Sequence, residues 1–465
     1  MSESLFDEFE PVPAKQWKQK IQYDLKGADY NETVVTHTRE GIDIKPFYHR
    51  EDLGDLQTLS LKANPWSVTE KIVITEDGSW AETAQKAIEG GAQTLHLVSE
   101  EENISANKQL NTILEQGQHV LLSASHISRQ DLESWSGKDF AGKLTIITDI
   151  IQRLATTGNW IENLEKDFQR LANLIDTFSE MTNQNSIDLA ISADLSVYQN
   201  AGADSAQQLA YAMSHMNEYL NFLNEKYGEK KPVLCFMFLN AAGSNYFMEI
   251  AKLKALRLLW ETLSAEYQTG KPCRIISYPT LRNKTIYDYN VNLLRTTTES
   301  MSNILGGADF VGNLPYNTVF EEPTGFGDRI ARNQLLILKH ESYFDKVLNP
   351  ADGAYYIEKL TAELAQKGLK LFKDIEAGGG FLQQLKEHKI QKKIRESHLQ
   401  EQEQYDKGEL TLVGSNLYLN KEERMKEAVK KPVTPQKRSR KTIIEPIIAK
   451  RLSEKSELQR LKEEE

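Results

Sequence analysis

The sequence predicts an α/β fold: a (β/α)8 TIM barrel carrying an N-terminal arm and a C-terminal helical extension. Three observations predict it. Short apolar, β-rich runs recur at residues 72–76, 94–99, 119–124, 143–148, 186–193, 233–240, 273–278 and 309–314. Each of the first seven is followed by a candidate helix before the next run begins. The runs are near-continuously apolar, as parallel strands covered on both faces require, and eight such units in succession close into a barrel. An open doubly wound sheet is the structural alternative to closure.

The arm comes first, over residues 1–55. Pro11 and Pro13 precede a helical run with Trp17, Ile21 and Leu25 at helical spacing. Residues 33–48 read as two extended pieces around a turn at Glu40 and Gly41. Phe6, Phe9 and Trp17 lie outside any obvious core, so the arm needs a surface, either its own barrel or another chain. The barrel spans 56–350. Its clearest helices fall at 161–181, 204–226, 245–267 and 288–305, and one more at 327–344 follows the eighth run. In the third of these, Tyr246, Ile250, Leu253 and Trp260 share one stripe, as a helix packed on a sheet requires. The sixth run (VLCFMFL, 233–239) brings bulky groups to the axis on either parity, which favours a filled barrel. Residues 351–420 form a charged helical extension packed on the barrel and broken at Gly378, Gly379 and Gly380. Residues 421–465 are charge-dense, with a basic run at 437–441 and one small apolar island at 443–448. They read as a largely solvated, partly disordered tail and a candidate docking segment.

Several function classes are excluded. A formal charge of −11 argues against a general nucleic-acid binder, which needs clustered positive charge to neutralise phosphates. Cys235 and Cys273 sit in apolar runs and read as buried free thiols. The acidic N-terminus has neither the basic nor the apolar region of a signal peptide, and no apolar stretch approaches the ~20 residues of a membrane span. A cytoplasmic protein with no membrane or nucleic-acid partner is expected. Residues 137–143 (GKDFAGK) imitate a phosphate-binding loop, but Leu144 stands at the Ser/Thr position and the segment precedes a strand. Gly325 and Gly327 lack the third glycine of a dinucleotide fingerprint.

The nine histidines are dispersed, and none forms His-Glu-x-x-His or a Cys/His cluster, so no metal site is expected. His96 and His119 border strands and read as satisfied core or surface histidines. There is no Gly-x-Ser-x-Gly elbow. Glu321 and Glu322 lie near the top of the eighth run, where barrel active sites sit, yet adjacent loop carboxylates read first as a solvated turn. Residue types alone give a barrel of unassigned function, with no catalytic, cofactor-binding or metal-binding residue.

Longer strings add a resemblance. Residues 245–260 (NYFMEIAKLKALRLLW) resemble the FFMEVAKLRAARMLW helix of methylmalonyl-CoA mutases. Residues 295–301 (RTTTESM) with Gly306 and Gly307 resemble that family's VRTTIEAMAA…GG helix. Residues 329–334 (RIARNQ) with 340–342 (HES), 349–358 (NPADGAYYIE) and 413–418 (VGSNLY) resemble RIARNTQ…QES, DPAGGSYYVE and VGVNKY. Residues 41–46 (GIDIKP) and Pro65 with Trp66 match the start of the pattern. The likeness covers residues 40–420 in consistent order.

The departures fall on the residues that the resemblance would make catalytic. The family's tyrosine-bearing GPY…TMY stretch corresponds to residues 58–64 (TLSLKAN), which hold no tyrosine. Its GYHMQEAGA corresponds to 196–203 (SVYQNAGA), so Val197 stands at the position of the histidine that polarises the thioester carbonyl. Valine cannot donate a hydrogen bond. Its SQTSGWSL corresponds to 277–284, where Tyr278 replaces the glutamine. The cobalt-ligating Asp-x-His-x-x-Gly motif is absent, and a cobalamin-binding domain is expected to be absent with it.

The resemblance therefore implies the small, non-catalytic subunit of an adenosylcobalamin-dependent methylmalonyl-CoA mutase. In that heterodimer a large subunit binds the cobalamin and the acyl-CoA and interconverts (R)-methylmalonyl-CoA and succinyl-CoA. Val197, Tyr198, Gln199 and Tyr278 are then candidates for a vestigial pocket. The alternatives are the acyl-CoA-binding barrel of a split cobalamin-dependent mutase and a non-enzymatic scaffold.

Overall fold

The computed structural model describes residues 10–54, 65–99, 107–124, 127–181, 186–434 and 440–464. Eight parallel strands close into a barrel. They are β1 (Ser67–Val73), β2 (Thr94–Ser99), β3 (His119–Ala124), β4 (Leu144–Thr148), β5 (Ile187–Asp194), β6 (Cys235–Ala242), β7 (Cys273–Pro279) and β8 (Phe310–Gly312). The ring closes where Phe310 pairs with Ser67 on one side and with Ile276 on the other. Seven strands lie where the apolar runs predict. The first begins earlier than the expected 72–76, because Glu70 and Lys71 interrupt its apolar pattern. Glu70 faces outward and pairs with Arg332, so the strand carries charge where hydropathy expects none.

Before the barrel come α1 (Ala14–Asp24) and α2 (Tyr30–Val34). Around it run α3 (Trp80–Glu89), α4 (Asn107–Glu115), α5 (Arg129–Trp135), α6 (Ile150–Thr157), α7 (Leu164–Glu180), α8 (Leu195–Ala201), α9 (Ser205–Tyr227), α10 (Tyr246–Glu266), α11 (Val291–Leu305) and α12 (Gly325–His340). The extension is α13 (Tyr355–Ala377), α14 (Phe381–Lys386) and α15 (Lys389–Asp406), and α16 (Glu454–Glu463) lies in the tail. Local chemistry sets the boundaries. Asp204 caps α9 through a reciprocal capping box with Gln207, and Asn245 caps α10 by accepting from the Met248 amide.

The stretch carrying the longest resemblance is α10, and it is held by buried charge. Arg257 donates to the Cys273 carbonyl at 2.9 Å and pairs with Asp309 at 2.8 Å, tying the helix to the strand bottoms. Lys252 pairs with Glu249 at 2.6 Å and donates to Gln208 at 2.8 Å. Lys254 bridges Asp352 and Glu358 at 2.8 and 2.7 Å, clamping α13. These groups hold the scaffold together, whatever chemistry the barrel mouth carries.

In the arm, residues 36–37 and 43–44 pair antiparallel around the expected turn, and Tyr30 and Ile42 are buried. Helix α1 buries no residue in this chain; Trp17 stacks on Phe47 at 4.5 Å and stays half-exposed. Phe6 and Phe9 lie outside the described residues.

The tail corrects the expectation of a solvated segment. Met425, Ile444, Ile447 and Leu452 are buried, as are Arg451 and Glu457, which pair at 2.6 Å. Its charges are satisfied by one another and by distant loops, so charge density here does not signal solvation. Part of the basic run, 437–439, lies outside the described residues.

Candidate functional site at the barrel mouth

Side chains alternate along a strand, so one parity of each strand faces the lumen. On β6 the inward set is Cys235, Met237 and Leu239, while Phe236 and Phe238 pack outward on Trp260 at 4.8 and 5.7 Å. Met237, Ile276, Leu121, Ile147, Ala190 and Phe310 form a separate cluster along the axis, so the lumen is filled by side chains. Phe310 meets His119 edge-on at 5.3 Å, from β8 across to β3.

Nearer the mouth a polar bar crosses the barrel. Tyr278 of β7 extends over Gly312 of β8, and its hydroxyl lies 2.8 Å from His96 Nδ1 of β2. His96 Nε2 lies 2.9 Å from Ser123 Oγ of β3. On the shorter way round, β7 and β2 are separated by β8 and β1, so the contact is a chord across the lumen. Gly312 is required here: a Cβ would sit 2.0 Å from Tyr278 Cε1. Burial, with Lys71 nearby, pushes the His96 imidazole down to about 3, and burial raises the Tyr278 hydroxyl above its usual range. A neutral imidazole with both nitrogens engaged offers neither a proton shuttle near neutral pH nor a metal ligand.

The four residues expected to line a vestigial pocket are not brought together. Tyr198, on α8, points away from the lumen. Its hydroxyl lies 2.8 Å from His215 Nδ1, whose Nε2 lies 2.8 Å from Asp149 Oδ1. Its ring meets Tyr211 and Phe381 edge-on at 5.5 and 5.9 Å in the outer core. Val197 is half-buried against that core. Gln199 Oε1 accepts from Thr280 Oγ1 at 2.5 Å, which fastens α8 to the loop after β7. Tyr278 alone of the four enters the lumen. The residues that sequence reading missed are Ser123 and the role of His96; their signal is the inward parity of both on their strands. Residues 58–64, where the tyrosine is missing, lie outside the described residues. Trp66, just beyond, donates to the Phe344 carbonyl at 3.1 Å beneath the Lys339 ammonium.

Both nitrogens of His96 and of His215 are engaged, and His398 is buried with Nδ1 at 2.9 Å from Arg282. Among the described residues, no group of three or more His, Cys, Asp or Glu side chains is placed to hold a metal ion. No described helix is long and apolar enough to cross a membrane.

The sequence profile of methylmalonyl-CoA mutase matches residues 103–464. A methylmalonyl-CoA mutase small subunit from Porphyromonas gingivalis is 30% identical over 457 residues, covering 90% of this chain and 71% of that protein. A methylmalonyl-CoA mutase from Cereibacter sphaeroides is 27% identical, covering 86% of this chain and 64% of that protein. A methylmalonyl-CoA mutase large subunit from Streptomyces virginiae is 30% identical over 285 residues, 59% of this chain and 38% of that protein.

Proposed function

The chain belongs to the methylmalonyl-CoA mutase family, in its small-subunit form, and on that premise we propose that it is the non-catalytic partner in a heterodimer. In this reading a homologous large subunit binds adenosylcobalamin and acyl-CoA and interconverts (R)-methylmalonyl-CoA and succinyl-CoA in the cytoplasm. The cofactor carries the difficult chemistry of such a reaction, and the protein's part is binding, orientation and shelter. This chain contributes a pseudo-symmetric surface that stabilises the large subunit and the entry to its active site.

One observation carries the reading: the Tyr278–His96–Ser123 bar lies across an axis already packed with Met237, Ile276 and Phe310. A barrel that receives a thioester along its axis must leave that axis open, and here it is filled at two levels. Val197 in place of a hydrogen-bond donor supports the same conclusion.

Co-expression with a large subunit tests it. A single stoichiometric partner carrying the cobalamin is expected, and the large subunit purified alone is expected to lose activity and stability. Full activity and stability of the large subunit without this chain would end the proposal.

A further inference from the structure

The C-terminal segment crosses the face of the barrel on which the strands end. Ile443 and Ile447 donate their amides to the Gly158 and Ala155 carbonyls, at 2.9 and 2.8 Å, beyond β4. Gly158 has φ +78°, and a Cβ there would lie 2.7 Å from the Ile444 carbonyl oxygen, so the strap demands a glycine at this point. Lys450 donates to the Asn200 carbonyl on α8, and Leu452 to the Arg282 carbonyl in the loop after β7, both at 2.9 Å. Arg282 returns a bond to the Lys450 carbonyl at 2.9 Å.

The segment then seats carboxylates on the loop after β7. Glu457 Oε1 accepts the Ile286 amide at 2.9 Å while its Oε2 accepts from Arg451 at 2.6 Å. Arg451 also donates to the Lys284 carbonyl at 2.9 Å. Glu464 Oε1 accepts from the Tyr287 hydroxyl at 2.5 Å, and its Oε2 accepts the Met425 and Lys426 amides at 2.9 and 2.8 Å. Beside these contacts Arg295 donates to neutral acceptors, Thr285 Oγ1 at 3.0 Å and Asn292 Oδ1 at 2.8 Å. Barrels of this type commonly hold phosphate at the loops following their seventh and eighth strands. The Ile286 amide and the Tyr287 hydroxyl of this loop, with the Arg295 guanidinium on the first turns of α11 beside them, are donors of the kind such an anion uses.

We propose that residues 441–464 are a built-in strap that closes this sector of the rim, with Glu457 and Glu464 standing on donors that a phosphate-type anion would otherwise take. The contact is autoinhibitory in form: each of the two carboxylates covers a donor that an anion could use, and Arg451 orients Glu457. It does not depend on the identity of the partner subunit.

The test uses the full chain and its E457A/E464A variant, which removes both carboxylates as acceptors and leaves the space they fill. Hydrogen exchange over residues 284–288 is followed with and without inorganic phosphate. In the unaltered chain, phosphate is expected to change nothing. In the variant, exchange of the Ile286 amide is expected to rise at least ten-fold, and millimolar phosphate to restore protection, with strand amides such as that of Ile275 unchanged. Unaltered exchange in the variant would overturn the strap. Faster exchange without phosphate protection would overturn the anion position. Should the double variant fail to fold, E457A alone gives the same two readouts at the Ile286 amide.

Discussion

The Tyr278 hydroxyl lies 2.8 Å from His96 Nδ1, and this one contact joins β7 to β2 through the interior of the barrel. Substituting Tyr278→Phe keeps the ring and leaves a buried imidazole nitrogen unpaired, a loss of about 1–3 kcal/mol. The urea midpoint is expected to fall with an unchanged m-value. An unchanged midpoint would mean that the bar contributes nothing to holding the axis closed.

Gly312 and Tyr278 are expected to be energetically coupled. Gly312→Ala puts a methyl group 2.0 Å from Tyr278 Cε1, and the tethered ring must shift to make room. Overpacking of this kind costs about 1–3 kcal/mol. In the Y278A/G312A double variant that clash disappears, so the two losses should be less than additive. A double-mutant cycle by chemical denaturation measures this, and strict additivity would contradict the geometry.

Acid should destabilise the fold from a predictable pH. Burial holds His96 down to about 3 and His119 and His398 down to about 4, against 6.5 for a free imidazole. Between these limits the unfolded chain binds protons that the folded chain refuses. The stability these groups contribute is therefore whole above pH 6.5 and is lost as pH falls toward 3–4. Denaturation midpoints measured from pH 7.5 to 4.5 should hold down to about pH 6.5 and decline below it, and His96→Gln should flatten that decline. A flat profile would show that His96 is charged or exposed.

The Lys284–Glu299 pair is fully buried, at 2.7 Å, with Asn283 bonded to both. Removing one partner strands a charge in the interior. Lys284→Met is expected to cost about 3–5 kcal/mol, and K284M/E299L to recover much of it. Thermal denaturation distinguishes this from a pair that contributes only by its own attraction, for which the double variant would be no better than the single.

The fold was legible because its strands are apolar on both faces, and seven runs needed no tertiary information. The exceptions have a common cause. Hydropathy places strand β1 late because Glu70 is neutralised by Arg332, a partner 262 residues away. The tail reads as solvated because Arg451 and Glu457 look like surface charge until the loop after β7 is set beside them. At the mouth, the family pattern points to Tyr278. Its partner His96 is 182 residues distant, and only strand parity and barrel closure bring the two together. The aligned motifs group Tyr198 with Tyr278, yet the helical turn of α8 sends it to the outer core instead.

Binding of succinyl-CoA to the isolated chain, measured by titration calorimetry, tests the central claim most directly. A barrel crossed by Tyr278 and His96 and packed by Met237, Ile276 and Phe310 leaves no axial path for a thioester-linked chain, so no saturable heat is expected up to millimolar ligand. Saturable binding in the micromolar range would contradict that account and return this chain to the catalytic members of its family.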